Sequence, residues 1–141
     1  MSSRQFCTFH LGGLYLGVEV CHVQEVLRYQ RMTAAPLAPP VVRGLINLRG
    51  QIVTALDLRQ RLGLGPVADG RLPMNVVVRA SDATVSLLVD DIGDVADVDD
   101  ALFERPPETL KGDCRALIRG AYKLQGRLLL ELDTEAVLNV S

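Results

Sequence analysis

The side chains able to carry chemistry are few, and their spacing speaks against catalysis. Cys7 stands three residues before His10, and Cys21 stands beside His22. Thiolate and imidazole are the donors that zinc selects, but a closed tetrahedral site takes four ligands. The chain has two histidines and three cysteines, with no Cys-x-x-Cys pair, so no metal or other cofactor is expected. His10 and His22 could each act as a base, yet local sequence supplies neither with a nucleophile, and strand or loop surface positions account for both. The aspartates of DDIGDVADVDD resemble a calcium loop in composition only, because the glycine and the following glutamate miss the positions an EF-hand requires. A charged strand edge, protected against pairing with other chains, explains them better. Gly-x-Ser-x-Gly, a phosphate loop and Gly-x-Gly-x-x-Gly are all absent, so the chain reads as a binder with no catalytic residues.

One polar side chain stands out for want of a local role. In GLINLRGQIVTALDLRQRLGL, residues 44–64, Ile46, Leu48, Ile52, Val53 and Leu56 supply β-favouring apolar positions, and Gly50 supplies the permissive φ that reverses the chain. Asp57 followed three residues later by Gln60 is a capping-box pattern, for a helix that Gly63 closes. Asp57 therefore serves a helix terminus. Arg49, directly at the turn, is explained by none of this.

The elements that must position these residues are short strands. QFCTFHLGGLYLGVEV is two alternating runs joined by Gly12-Gly13, a hairpin signal. CHVQEVLRY predicts a helical turn or irregular strand, and the prolines of TAAPLAPPVVRG predict a connecting loop. Its single PxxP match is better read as a connector than as a polyproline ligand. A hairpin with Ser81-Asp82 near its turn is predicted in MNVVVRASDATVSLLVDDIGDV, and another in IRGAYKLQGRLLLELD. The segment TEAVLNV predicts a short helix capped by Asp133 or Thr134. Turns every eight to twelve residues favour an all-β barrel or barrel pair with short helices. GPVADGRLP is the most linker-like piece, and places an approximate division of the chain near residues 65–74.

Composition bounds the rest. With 141 residues and 48% apolar side chains, there is enough material for one domain or two small ones sharing a core. No run approaches the roughly 18 apolar residues of a membrane span, and the opening MSSRQFCTFHLGG lacks a cleavage pattern, so a cytoplasmic protein with no membrane insertion is expected. The odd cysteine count argues for buried, reduced thiols. Net charge is −2, which gives no basic field for nucleic acid. Residues 1–79 carry a balance of +5 and residues 80–141 one of −7, a polarity suited to different partners on two faces or to head-to-tail contact.

Taken together, VRGLINLRGQIVTALDLRQRLGL resembles the signature of the CheW-like family, the adaptors of bacterial chemosensory arrays. Asn47-Leu48-Arg49-Gly50 followed by Asp57-Leu58-Arg59 is the most specific piece. FHLGGLYLGVEVCHVQEVL, VVVRASDATVSLLVDDIGDV and IRGAYKLQGRLLLELDTEAVL extend the resemblance over about residues 6–140. It implies a single CheW-like domain over residues 1–141, made of two small SH3-like β-barrels packed around a shared hydrophobic core, with strand exchange between them allowed. It also implies a non-catalytic adaptor that couples the signalling tip of a methyl-accepting chemoreceptor to the regulatory domain of the histidine kinase CheA, at membrane-associated arrays. The chain is close to the domain in extent, so a free adaptor is expected in preference to a kinase-derived regulatory domain. A small-molecule-binding barrel is the other alternative, but the strands offer mainly Val, Leu and Ile, with few polar groups to converge on a cavity.

The resemblance also nominates a receptor groove. Glu25 and Arg49 occupy family motif positions with opposite charge and are expected to pair beside it; Val23 and Val26 from the first half, with Ile92 and Val95 from DDIGDV, are expected as its apolar anchors. The kinase-binding residues are not assigned. Thr54 stands where family members often have proline, a departure that bears on the edge of its strand.

Overall fold

The computed structural model describes residues 3–66, 70–80 and 83–139. In chain order the elements are β1 (Ser3–Leu11), β2 (Leu14–Glu19), a 3-10 turn (Val20–His22), β3 (Val23–Leu27), β4 (Val42–Leu48), β5 (Gln51–Asp57) and α1 (Leu58–Arg61). There follow β6 (Met74–Ala80), β7 (Ala83–Val89), β8 (Asp91–Asp99), a second 3-10 turn (Asp100–Leu102), β9 (Phe103–Glu104), α2 (Gly112–Ala116), β10 (Ile118–Leu124), β11 (Arg127–Leu132) and α3 (Thr134–Leu138). One sheet has the order β8-β1-β2-β11-β10-β9, the other β3-β6-β7-β5-β4. These are the two SH3-like barrels expected of the sequence.

Alternation along the strands explains how two barrels share an interior. In β2, Tyr15 packs with Phe6, Val98, Tyr122 and Leu129 inside the first barrel, whereas Leu16 and Val18 face the other way. In β6, Val77 packs with Ile46, Leu48 and Val53 inside the second barrel, and its neighbours Val76 and Val78 point out of it. The outward sets meet in the largest cluster, which joins Leu16 and Val18 to Val76, Val78, Leu87, Leu130 and Leu132. A strand buried on both faces reads as a continuous apolar run, as VVV and LLL do here.

Local signals set the connections. Gly12 and Gly13, at φ +55° and +89°, form the tight turn between β1 and β2. Asp57 caps α1 by accepting from the Gln60 N–H at 3.2 Å, but donates its own N–H to the Val41 carbonyl, so only half of the capping box is made. Gly63 follows at φ +77°. Of the two caps proposed for α3, Asp133 is the one used, accepting from Ala136 N–H at 3.1 Å. The predicted turn at Ser81-Asp82 lies outside the described residues. The acidic run does form an edge strand, β8, which among the described residues pairs only with β1.

Two expectations need correction. The barrels are not divided near residues 65–74, because β5 and β6, on either side of that stretch in the sequence, lie in one sheet. The chain instead crosses between sheets after β2 and again between β7 and β8, so the second barrel is one continuous stretch and the first is assembled from both ends. Nor are all three thiols buried: Cys114 is, but Cys7 is half-buried and Cys21, on the 3-10 turn, is exposed. Thr54 pairs with Leu45 on one side and Val85 on the other.

Charged side chains reinforce this arrangement. Arg4 donates to both carboxylate oxygens of Glu131 at 3.0 and 2.8 Å, to Glu19 at 2.5 Å and to the Tyr122 hydroxyl at 2.6 Å. Burial opposes its charge, but the bonds to Glu131 and Glu19 outweigh that, and its pKa is raised; Arg4 in turn holds the Glu19 carboxyl below its ordinary range. Arg59 on α1 clamps Asp90 through two bonds of 2.8 and 2.6 Å, and Asp90 also accepts the Gly12 N–H at 2.9 Å. This clamp ties the second sheet to the first hairpin.

Candidate functional site

Arg49 finds its role at the rim of the second barrel. Arg49 and Gly50, at φ +53° and +90°, make the two-residue turn between β4 and β5, and Asn47 Oδ1 accepts the Gly50 N–H at 2.9 Å. Asparagine or glycine is the usual first residue of such a turn, since a side chain at positive φ is strained. Placing an arginine there carries a backbone cost that no packing repays, as its side chain is 74% exposed.

Its partner comes from the far edge of the same sheet. β3 lies at one end of the strand order and β4 at the other, and the guanidinium of Arg49 bonds both carboxylate oxygens of Glu25 on β3. The contact spans the gap left where the sheet curls into a barrel, a gap also narrowed by the backbone bridge between Thr33 and Leu45. The bond to Glu25 raises the Arg49 pKa. Beside the pair is an open depression of about 460 Å³, lined by Gln24, Glu25, Leu48, Arg49 and Gln51.

The four apolar candidates divide by burial. Val26 on β3 is 38% exposed and Val95 on β8 is 56% exposed, so both are free to meet a partner. Val23 and Ile92 are partly buried and pack against the shared core. A register shift between Cys7 and Phe9 accompanies this on β8, where Gly93 sits so close to β1 that a Cβ would lie 2.4 Å from Thr8 Oγ1. The structure thus brings Glu25 and Arg49 together, whereas Ile92 and Val95 lie on a strand bonded to β1, in the other sheet. Gln24 and Gln51 were not singled out by the sequence, although each adjoins a motif residue and a solvent-facing glutamine beside a paired charge is a weak signal for a binding surface.

Comparison with known proteins settles the family. A family model described as the CheW-like domain matches residues 5–141. The chain belongs to the CheW-like family. A chemotaxis protein CheW of Bacillus subtilis is 29% identical over 98% of this chain and 88% of its own length. A protein of the same name from Rhizobium meliloti is 30% identical over 93% of this chain and 86% of its own. The fold is shared with the crystal structure of the scaffolding protein TtCheW from Thermoanaerobacter tengcongensis, at a TM-score of 0.88 and 24% identity over 99% of this chain and 95% of that one. Among the described residues no helix is long and apolar enough to cross a membrane.

Proposed function

We propose that this CheW-like protein is a non-catalytic adaptor in chemotaxis signalling, holding a chemoreceptor signalling tip on one surface and the regulatory domain of the kinase CheA on another. The carrying observation is that relatives named chemotaxis protein CheW align with almost the whole chain, 98% of it in one case and 93% in another. Such a role places it in the cytoplasm at receptor arrays. The Glu25–Arg49 pair supports a receptor-facing rim in which the ion pair orients the surface while Val26 and Val95 offer apolar contact to a helical tip.

Charge is divided in a way that suits a second partner. Residues 23–89, which contain the second barrel, hold eight basic and four acidic residues, whereas the remainder holds seven and thirteen. An uneven charge of this kind speeds encounter with a complementary domain. Raising the salt should therefore slow kinase association more than it weakens the apolar receptor contact, because charges separated by more than about 10 Å are screened at 0.1 M salt. The direct test is reconstitution of receptor, kinase and this chain. Receptor control of kinase phosphorylation should require the chain; control that persists without it, or never appears with it, refutes the proposal.

A further inference from the structure

We propose that Glu19, Cys21 and His22 form a binding site for a divalent cation of the zinc class, at the point where the chain crosses from one barrel to the other. Among the described residues these three each offer a ligand atom, and the atoms lie within 4.8 Å of one another. Glu19 ends β2, while Cys21 and His22 sit on the 3-10 turn that follows. Zinc bonds of about 2.0–2.3 Å place tetrahedral ligands about 3.3–3.8 Å apart, so the donors draw in by up to about 1.5 Å on binding, and one of them, Cys21, is on an exposed side chain.

The neighbours favour a cation here. Arg4 engages Glu19 Oε1 at 2.5 Å, which fixes the carboxylate and leaves Oε2 facing the Cys21 sulfur at 4.0 Å. An outer partner that orients a ligand in this way is typical of built metal sites. A depression of about 50 Å³ adjoins Glu19 and His22, and its carboxylates, Glu19, Glu131, Asp133 and Glu135, outnumber the guanidinium groups of Arg119 on its wall and of Arg4, which bonds Glu19 and Glu131. That is room for a water as the fourth ligand. Counting cysteines and histidines alone misses the site because the third donor is a carboxylate. Thiolate and imidazole exclude calcium and magnesium as the preferred ions, which take oxygen donors. On binding, the thiol releases its proton to solvent, a sulfur–metal bond forms, and no oxidation state changes. The bound ion would stiffen the crossover three residues before Glu25.

The test uses the full reduced chain, titrated with zinc by calorimetry and with cobalt by absorption. One zinc per chain is expected at micromolar affinity, with a thiolate-to-cobalt charge-transfer band in the near ultraviolet. Cys21→Ser should abolish the band, His22→Ala should weaken zinc by at least about ten-fold, and Cys7→Ser should leave both unchanged, with circular dichroism confirming that each variant is folded. No zinc uptake at millimolar concentration overturns the site, as does a cobalt band that survives Cys21→Ser.

Discussion

Arg4 in the first barrel and Arg49 in the second make the same kind of contact to opposite ends. Each bonds a glutamate through both carboxylate oxygens, yet Glu131 is 3% exposed and Arg49 lies in solvent. A buried carboxylate must keep its cation, because removing one partner leaves a desolvated charge alone. An exposed pair costs the fold little to lose, so it can be retained for what it presents to a partner. Burial, more than pairing, separates the charges that build this molecule from those available for binding.

The strongest way to break that contrast is Arg4→Ala, which should cost about 3 kcal/mol in urea unfolding. The double variant Arg4→Met with Glu131→Leu should recover part of the loss, since the stranded carboxylate is gone. If Arg4→Ala is no less stable than wild type, the buried network is not structural. A smaller cost, about 2 kcal/mol, is expected for Arg59→Ala, which releases the clamp on Asp90. Bonding to Arg59 and to the Gly12 N–H lowers the Asp90 pKa in the folded state, as the Arg4 bond lowers that of Glu19. Their stabilisation is therefore fully present above the unfolded carboxyl range, about pH 4, and is lost as pH falls through the lower folded values. Acid titration of Arg59→Ala should accordingly show a shallower loss of stability below about pH 4 than wild type does.

At the other extreme, Arg49→Ala should leave the urea midpoint where it is and weaken receptor-domain binding by about ten-fold, the scale of an interface anchor. Reversing both charges, with Glu25→Arg and Arg49→Glu together, should restore part of that binding if the pair acts by orienting the rim. Val95→Asp should likewise abolish binding without changing the far-ultraviolet circular dichroism, whereas Ile92→Asp should destabilise the fold because Ile92 packs against the shared core. If Val95→Asp unfolds the chain, the exposed-anchor assignment is wrong.

Much of this was legible in the sequence where the physics is local. Gly12-Gly13, Asp57 and Asp133 announce a turn and two caps through preferences that act within a few residues. The pairing of Glu25 with Arg49 was expected from motif positions, and an arginine without a local role at a turn was itself the clue. The division of the barrels was not legible, since GPVADGRLP looks like any linker and β2–β11 pairing depends on residues more than a hundred positions apart. The resemblance groups Val23 and Ile92 with Val26 and Val95 as apolar residues of receptor-facing segments, and apolar character is common to anchors and core residues. Only the register shift on β8 and the packing of β3 on β6 decide which of them face the core.

The claim that this chain is a two-sided adaptor meets its most direct test in a sedimentation experiment. A receptor signalling domain is titrated into a preformed complex of the chain with the kinase regulatory domain, and the mass of the species is followed. A single ternary species containing all three proteins is predicted. Release of the kinase domain as receptor is added would show that the two partners share one surface, and would contradict the account.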